Sequence, residues 1–187
     1  MNENSFIISG FGGQGTLFAG QVMAYSALDN DLNVTWIPSY GPEMRGGTAS
    51  CTVVISNEPI GSPIVSNPDV AIVMNLPSLQ KFETLIKPGG VIIVNSSLIN
   101  LEVERKDIQK LYIPANQIAE EAGMARLANM VMIGSLTFVK PVLSLEMIKT
   151  ALAEHIPDRH RKTIPKNFDA LEKGFAFAEN TLAAVGV

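Results

Sequence analysis

The chain has 187 residues, one cysteine and two histidines. At about 100–200 residues per domain it reads as a single domain over residues 1–187, with no internal disulfide, four-thiolate zinc site or iron–sulfur cluster of its own and too few histidines for most histidine-based metal sites. A formal charge of −4 argues against a nucleic-acid or anionic-membrane binder, while a charged content of 17%, against about 25% in ordinary domains, calls for either a large interface with other chains or strands buried on both faces.

Residues 1–4 carry no basic segment, and the apolar runs are far shorter than the roughly 20 residues of a membrane span. The chain therefore reads as cytoplasmic, with no membrane partner. Residues 5–9 (SFIIS) read as a short buried strand, residues 10–15 (GFGGQG) as a tight glycine loop, residues 16–28 as a helix and residues 33–37 (NVTWI) as a second strand stopped by Pro38. Strand, loop, helix, strand is a βαβ unit, predicting parallel strands and a right-handed crossover. A shaped loop follows at 39–48 (SYGPEMRGGT), then a strand at 49–56, a loop at 57–67 and a strand at 69–74. A short helix is predicted at 78–85 with Ser78 as N-cap, then a turn (KPGG) and a buried strand at 91–94. The remainder reads as a short strand at 111–113, helices at 115–123, 130–139 and 145–156, a charge run at 158–162 (DRHRK) and a closing helix at 167–184. This alternation predicts a three-layer α/β/α fold with a mainly parallel, Rossmann-like central sheet.

The spacing Gly10-x-Gly12-x-x-Gly15 matches the dinucleotide fingerprint, in the required setting of a strand before and a helix after. Glycines let the backbone approach an anion, and the helix start offers free N–H groups at the positive end of its dipole. The companion acidic residue at the end of the second strand is missing: that strand ends Trp36-Ile37-Pro38, while Asp29 and Asp31 precede it. No Lys-Ser/Thr pair follows the loop, which excludes a nucleoside-triphosphate P-loop. Two readings stay open: glycines that only allow tight strand–helix packing, or a backbone cradle for a phosphate or carboxylate with Gln14 as a neutral orienting group. The loop at 39–48 leaves the same sheet edge, so two loops face one crevice. Arg45 there either clamps an anion or pairs with Glu43 to stiffen the loop. Cys51 reads as an inert core residue, and His155 and His160 as solvent-facing. The run from Arg159 to Lys162 is either a solvated end or a docking patch.

Taken together and in order, GFGGQG (10–15), VTWIPSYGPEMRGGTASCTV (34–53), PIGSPIV (59–65), PDVAIVMNLPSLQKF (68–82), KPGGVIIVNSSLI (87–99) and NMVMIGS (129–135) resemble the gamma subunit of 2-oxoacid:ferredoxin oxidoreductases. The tyrosine-containing SYGPEMRGG loop is similar to the 2-oxoglutarate branch, that of the gamma (C) subunit of 2-oxoglutarate:acceptor oxidoreductases. The resemblance implies a non-thiamine-binding subunit of a complex that converts a 2-oxoacid and coenzyme A to an acyl-CoA, carbon dioxide and reduced ferredoxin or flavodoxin. It implies alpha, beta and delta subunits as partners, with thiamine diphosphate, magnesium and iron–sulfur clusters held by those partners only. It also implies that Gly12, Gly13, Gln14, Gly15 and Thr16 cradle coenzyme A. Arg45 would approach coenzyme A or an interface, and Asn129 would contribute either to the site or as a helix N-cap. No catalytic residue and no metal ligand is expected in this chain, and the isolated chain is expected to be inactive. The alternatives are a free-standing nucleotide-binding or regulatory module and a purely structural subunit.

Overall fold

The computed structural model describes residues 3–40 and 47–185. Six strands form one sheet in the order β2-β3-β1-β4-β5-β6: β1 (Asn4–Phe11), β2 (Asn33–Tyr40), β3 (Thr48–Ser56), β4 (Val70–Val73), β5 (Val91–Asn95) and β6 (Gln109–Ile113). β1 pairs parallel with β4, β4 with β5 and β5 with β6. The prediction of a mainly parallel α/β sheet holds on that side.

The other side corrects the simple βαβ expectation. β3 runs antiparallel between β1 and β2 and pairs with both. β1 and β2 therefore point the same way but are not neighbours. β2 also continues through Pro38 to Tyr40. It is the outermost strand, and proline, which lacks an N–H, is tolerated where no further strand needs a donor.

Helices α1 (Thr16–Leu28), α3 (Ala115–Glu121), α4 (Ala128–Val139), α5 (Leu145–His155) and α6 (Ile164–Val185) gather on one face of the sheet. Their core joins Phe6 and Ile8 of β1, Val53 and Ile55 of β3 and Ile93 of β5 to Met130, Ile133 and Leu171. The opposite face carries the shorter α2 (Leu76–Phe82), whose Leu79 and Phe82 cover Ile7, Ala71, Val73, Ile92 and Val94. The fold thus has three layers of unequal thickness. The N-cap of α2 is Asn75, not Ser78: the Asn75 Oδ1 accepts the Ser78 N–H at 2.9 Å. α4 and α6 cross at backbone contact. A Cβ on Gly134 would overlap the Leu171 carbonyl, and one on Gly174 the Val131 carbonyl. The charge run at 158–162 forms a 3₁₀ turn, Asp158–Thr163, that leads into α6. No helix among the described residues is long and apolar enough to cross a membrane.

Candidate functional site

β1 ends at the edge of the sheet where the glycine loop begins, and α1 starts directly after it. Gly13 sits at φ 98° and Gly15 at φ 73°, a backbone region that side chains rarely adopt. Gly15 is the N-cap of α1. It brings no side-chain hydrogen bond, and the first turn holds no acidic residue. Among the described residues, the N–H groups that open α1 are therefore left for another acceptor at the positive end of the helix.

The loop is held from two directions. The Gln14 Oε1 accepts the Phe11 N–H at 2.6 Å, and its Nε2 donates to the Met74 carbonyl at 3.2 Å, tying the loop to the end of β4. Gln14 thus acts as a brace, with its amide spent inside the protein. The Asn129 Nδ2 donates to the Gly15 carbonyl at 3.1 Å. Asn129 is not the N-cap of α4: that position is Leu127, and no side chain caps it. A Cβ at Gly15 would lie 2.5 Å from the Asn129 amide nitrogen, so this strap also needs glycine. The Asn129 Oδ1 is buried without a hydrogen-bond partner.

The loop opens on a cleft of about 300 Å³ lined by Gly12, Gly13, Gly15, Thr16 and Phe18 on one side and by Tyr40 and Gly47–Ala49 on the other. The Gly12 N–H donates to the Gly47 carbonyl at 3.0 Å. Because β2 runs parallel to β1 and β3 antiparallel, the end of β2 and the start of β3 both reach this edge. The expected convergence of two loops on one crevice is met by their described ends. The sequence brings together Gly12, Gly13, Gly15 and Thr16 at the cleft, with Gln14 and Asn129 behind it. Arg45, with the rest of residues 41–46, lies outside the described residues. Phe18 and Tyr40 also line the cleft: Tyr40 belongs to the SYGPEMRGGT stretch expected to face it, whereas only the helix geometry turns Phe18 to it. No described lining residue is charged, so an anion here would be held by backbone N–H groups.

Cys51 is 1% exposed, and burial pushes its thiol up to about 12 against weaker lowering by the Trp36 side chain. It is an inert core thiol, as read from the sequence. His155, read as solvent-facing, is partly engaged. Its ring stacks on Tyr25 at 4.0 Å and its Nε2 lies 3.0 Å from the Asp29 carboxylate.

A glycine loop at the carboxyl edge of a mainly parallel sheet, with a helix start that no side chain caps and no charged group among the described lining residues, defines an α/β domain of the nucleotide-binding type of architecture. The family model for pyruvate ferredoxin/flavodoxin oxidoreductase matches residues 5–177, and the chain belongs to that family. It is 36% identical to the 2-oxoglutarate synthase subunit KorC of Methanocaldococcus jannaschii, over 92% of this chain and 92% of that protein. It is 38% identical to the ketoisovalerate oxidoreductase subunit VorA of Methanothermobacter thermautotrophicus over 94% of this chain, but spans only 36% of VorA. The crystal structure of a keto/oxoacid ferredoxin oxidoreductase gamma subunit from Geobacter sulfurreducens superposes with a TM-score of 0.83 at 26% identity, covering 96% of this chain and 98% of that one.

Proposed function

We propose that this chain is the gamma-type, non-thiamine-binding component of a 2-oxoacid:ferredoxin or flavodoxin oxidoreductase, and that its glycine cleft anchors coenzyme A. The single observation that carries the reading is the uncapped start of α1 behind Gly13 and Gly15, open on the cleft. A phosphate of coenzyme A placed there accepts the free N–H groups. The Gln14 brace and the Asn129 strap hold those donors in place, so little ordering is left to the binding step. The sulfur-bearing end is then free to extend toward a partner subunit.

Thiamine diphosphate, when bound, supplies the decarboxylation chemistry, and the clusters carry the electrons. Both belong to companion subunits on this reading. It is supported by the single, buried Cys51, which offers no cluster ligand. The alpha, beta and delta subunits are the proposed partners, and the cytoplasm the proposed compartment. Both KorC and VorA are relatives. The tyrosine at position 40 favours 2-oxoglutarate as the oxoacid, with a branched-chain oxoacid as the second reading.

Gly13 gives the test. A Cβ there meets no described atom within 4 Å, but φ 98° strains any side chain, so a thermal midpoint of the assembled variant is measured beside its kinetics to separate a blocked cleft from a distorted loop. Gly13→Leu in the assembled complex is expected to raise the KM for coenzyme A at least tenfold, leaving assembly and the oxoacid KM unchanged. An unchanged coenzyme A KM in an intact complex would instead assign the chain a purely structural role. Tight binding of NAD by the isolated chain would assign it to a free-standing nucleotide-binding module.

A further inference from the structure

A second cleft, of about 560 Å³, lies along α1 between the last turns of α5, the 158–163 turn and the start of α6. Its floor is apolar: Val22, Leu152 and Ile156 are each less than a tenth exposed. One wall is the face of Tyr25, stacked on His155 at 6° between the rings. This wall is fixed, because both Asp29 carboxylate oxygens lie within 3.1 Å of the His155 Nε2. The volume falls in the usual range of about 300–1,000 Å³ for small-molecule sites, which are apolar with a few placed polar groups.

Of the polar groups that line it, the Gln21 amide is turned to the Tyr25 hydroxyl at 3.3 Å, and Arg159 is the cationic one. The Arg159 Nε donates to the His160 Nε2 at 3.1 Å, and among the described residues its remaining guanidinium nitrogens have no carboxylate partner. The nearby charges are spoken for: Arg161 pairs with Asp158 and His155 with Asp29, leaving Glu154 as the unpaired acid beside the ring wall. Thr163 donates to the His160 carbonyl, and the Asn167 amide to Thr163, so their donors are spent internally. The first turn of α6 holds no acidic residue. Among the described residues that line it, the slot is apolar at its floor and carries one open cation, Arg159.

We propose that this cleft is a second binding site, separate from the glycine cleft, for a small amphipathic carboxylic acid. The apolar body lies on Val22, Leu152 and Ile156 and the carboxylate pairs with Arg159. Phe18 lines both clefts, so the two are neighbours along α1. The proposal holds whether or not the glycine cleft takes coenzyme A.

Titration calorimetry on the full chain with octanoate tests it. Octanoate is expected to bind saturably with a Kd below about 1 mM. Octanol, which lacks the charge, is expected to bind at least about tenfold more weakly. Arg159→Ala, at an exposed position, weakens octanoate about tenfold and leaves octanol unchanged. Gln21→Trp, which adds bulk at a half-buried lining position on α1, abolishes both. Saturating coenzyme A leaves octanoate binding unchanged. Equal affinity for octanol and octanoate, or indifference to Arg159→Ala, overturns the assigned chemistry. Unaltered binding to Gln21→Trp overturns the location, and displacement by coenzyme A overturns the separateness of the two clefts.

Discussion

The two faces of the sheet are built to different rules. One lies under α1, α3, α4, α5 and α6, and its core runs from Val53 and Ile55 of β3 to Leu111 and Ile113 of β6. The other has α2 alone, and the apolar cluster beneath it includes no residue of β2 or β3. Val54 of β3 is fully buried on this side, but Thr35 and Thr52 stay half-buried there, and Ile37 is 41% exposed. Phe11 and Tyr40, exposed at 38% and 60%, stand at the edge that also carries the glycine cleft. The low charge content has two roots in consequence. Central strands are buried on both faces, and the β2–β3 half presents an uncharged, partly apolar surface of the kind that marks protein contacts. In the proposed complex that surface belongs to a partner subunit.

Substitutions on the two faces should behave accordingly. The largest effect is expected at the α4–α6 crossing, where two backbones touch and no side chain is free to give way. Gly174→Val should cost about 4 kcal/mol or more, read as the shift of the urea midpoint by circular dichroism; an unchanged midpoint would break the account of the thick face. Next is Ile93→Ala, at a fully buried position, with a loss of about 2–5 kcal/mol. Asn129→Ala removes the strap on Gly15 and should cost about 1–2 kcal/mol, lowering the thermal midpoint by a few degrees and raising the coenzyme A KM of the complex.

A pH-dependent term comes from Asp69, which ties the start of β4 to β1. Burial raises its carboxyl pKa, but the Ser5 hydroxyl and N–H and the Lys87 ammonium outweigh this and leave it below the ordinary value. A group whose folded pKa is depressed stabilises above the unfolded pKa, near 3.9, and loses that contribution as pH falls through the folded value. The thermal midpoint should hold down to about pH 5 and fall below it, and Asp69→Asn should flatten part of that fall. The smallest effect on stability is expected on the bare face: Ile37→Lys should shift it by less than about 0.5 kcal/mol yet prevent co-purification with partner subunits. A large destabilisation would mean that Ile37 is core and the two faces are alike.

The parallel half of the fold was legible because β4 and β5 are short, doubly apolar runs bounded by turns, and because GFGGQG carries its own strand and helix. The placement of β3 was not. Its alternation identifies a strand but says nothing about insertion antiparallel between β1 and β2, which depends on a connection of only seven residues from β2 (41–47). Pro38 misled for a related reason: it ends a central strand but not an outermost one. At the site, Gly12 and Gly15 were readable from the glycine spacing, while Gly13 and Thr16 entered only through the family resemblance. The bracing role of Gln14 and the strap from Asn129, 114 residues away from Gly15 in sequence, are tertiary facts with no local signature. Capping preference placed the start of α2 at Ser78, but Asn75 is an equally good cap three residues earlier.

The most direct test of the central claim is native purification of this chain from its own source, followed by assay of coenzyme A-dependent acceptor reduction with 2-oxoacids. The account predicts co-purification with thiamine-binding and iron–sulfur subunits, and reduction of ferredoxin or a viologen when 2-oxoglutarate and coenzyme A are both present. Recovery of the chain without companions, or a complex inactive with every 2-oxoacid, would contradict it.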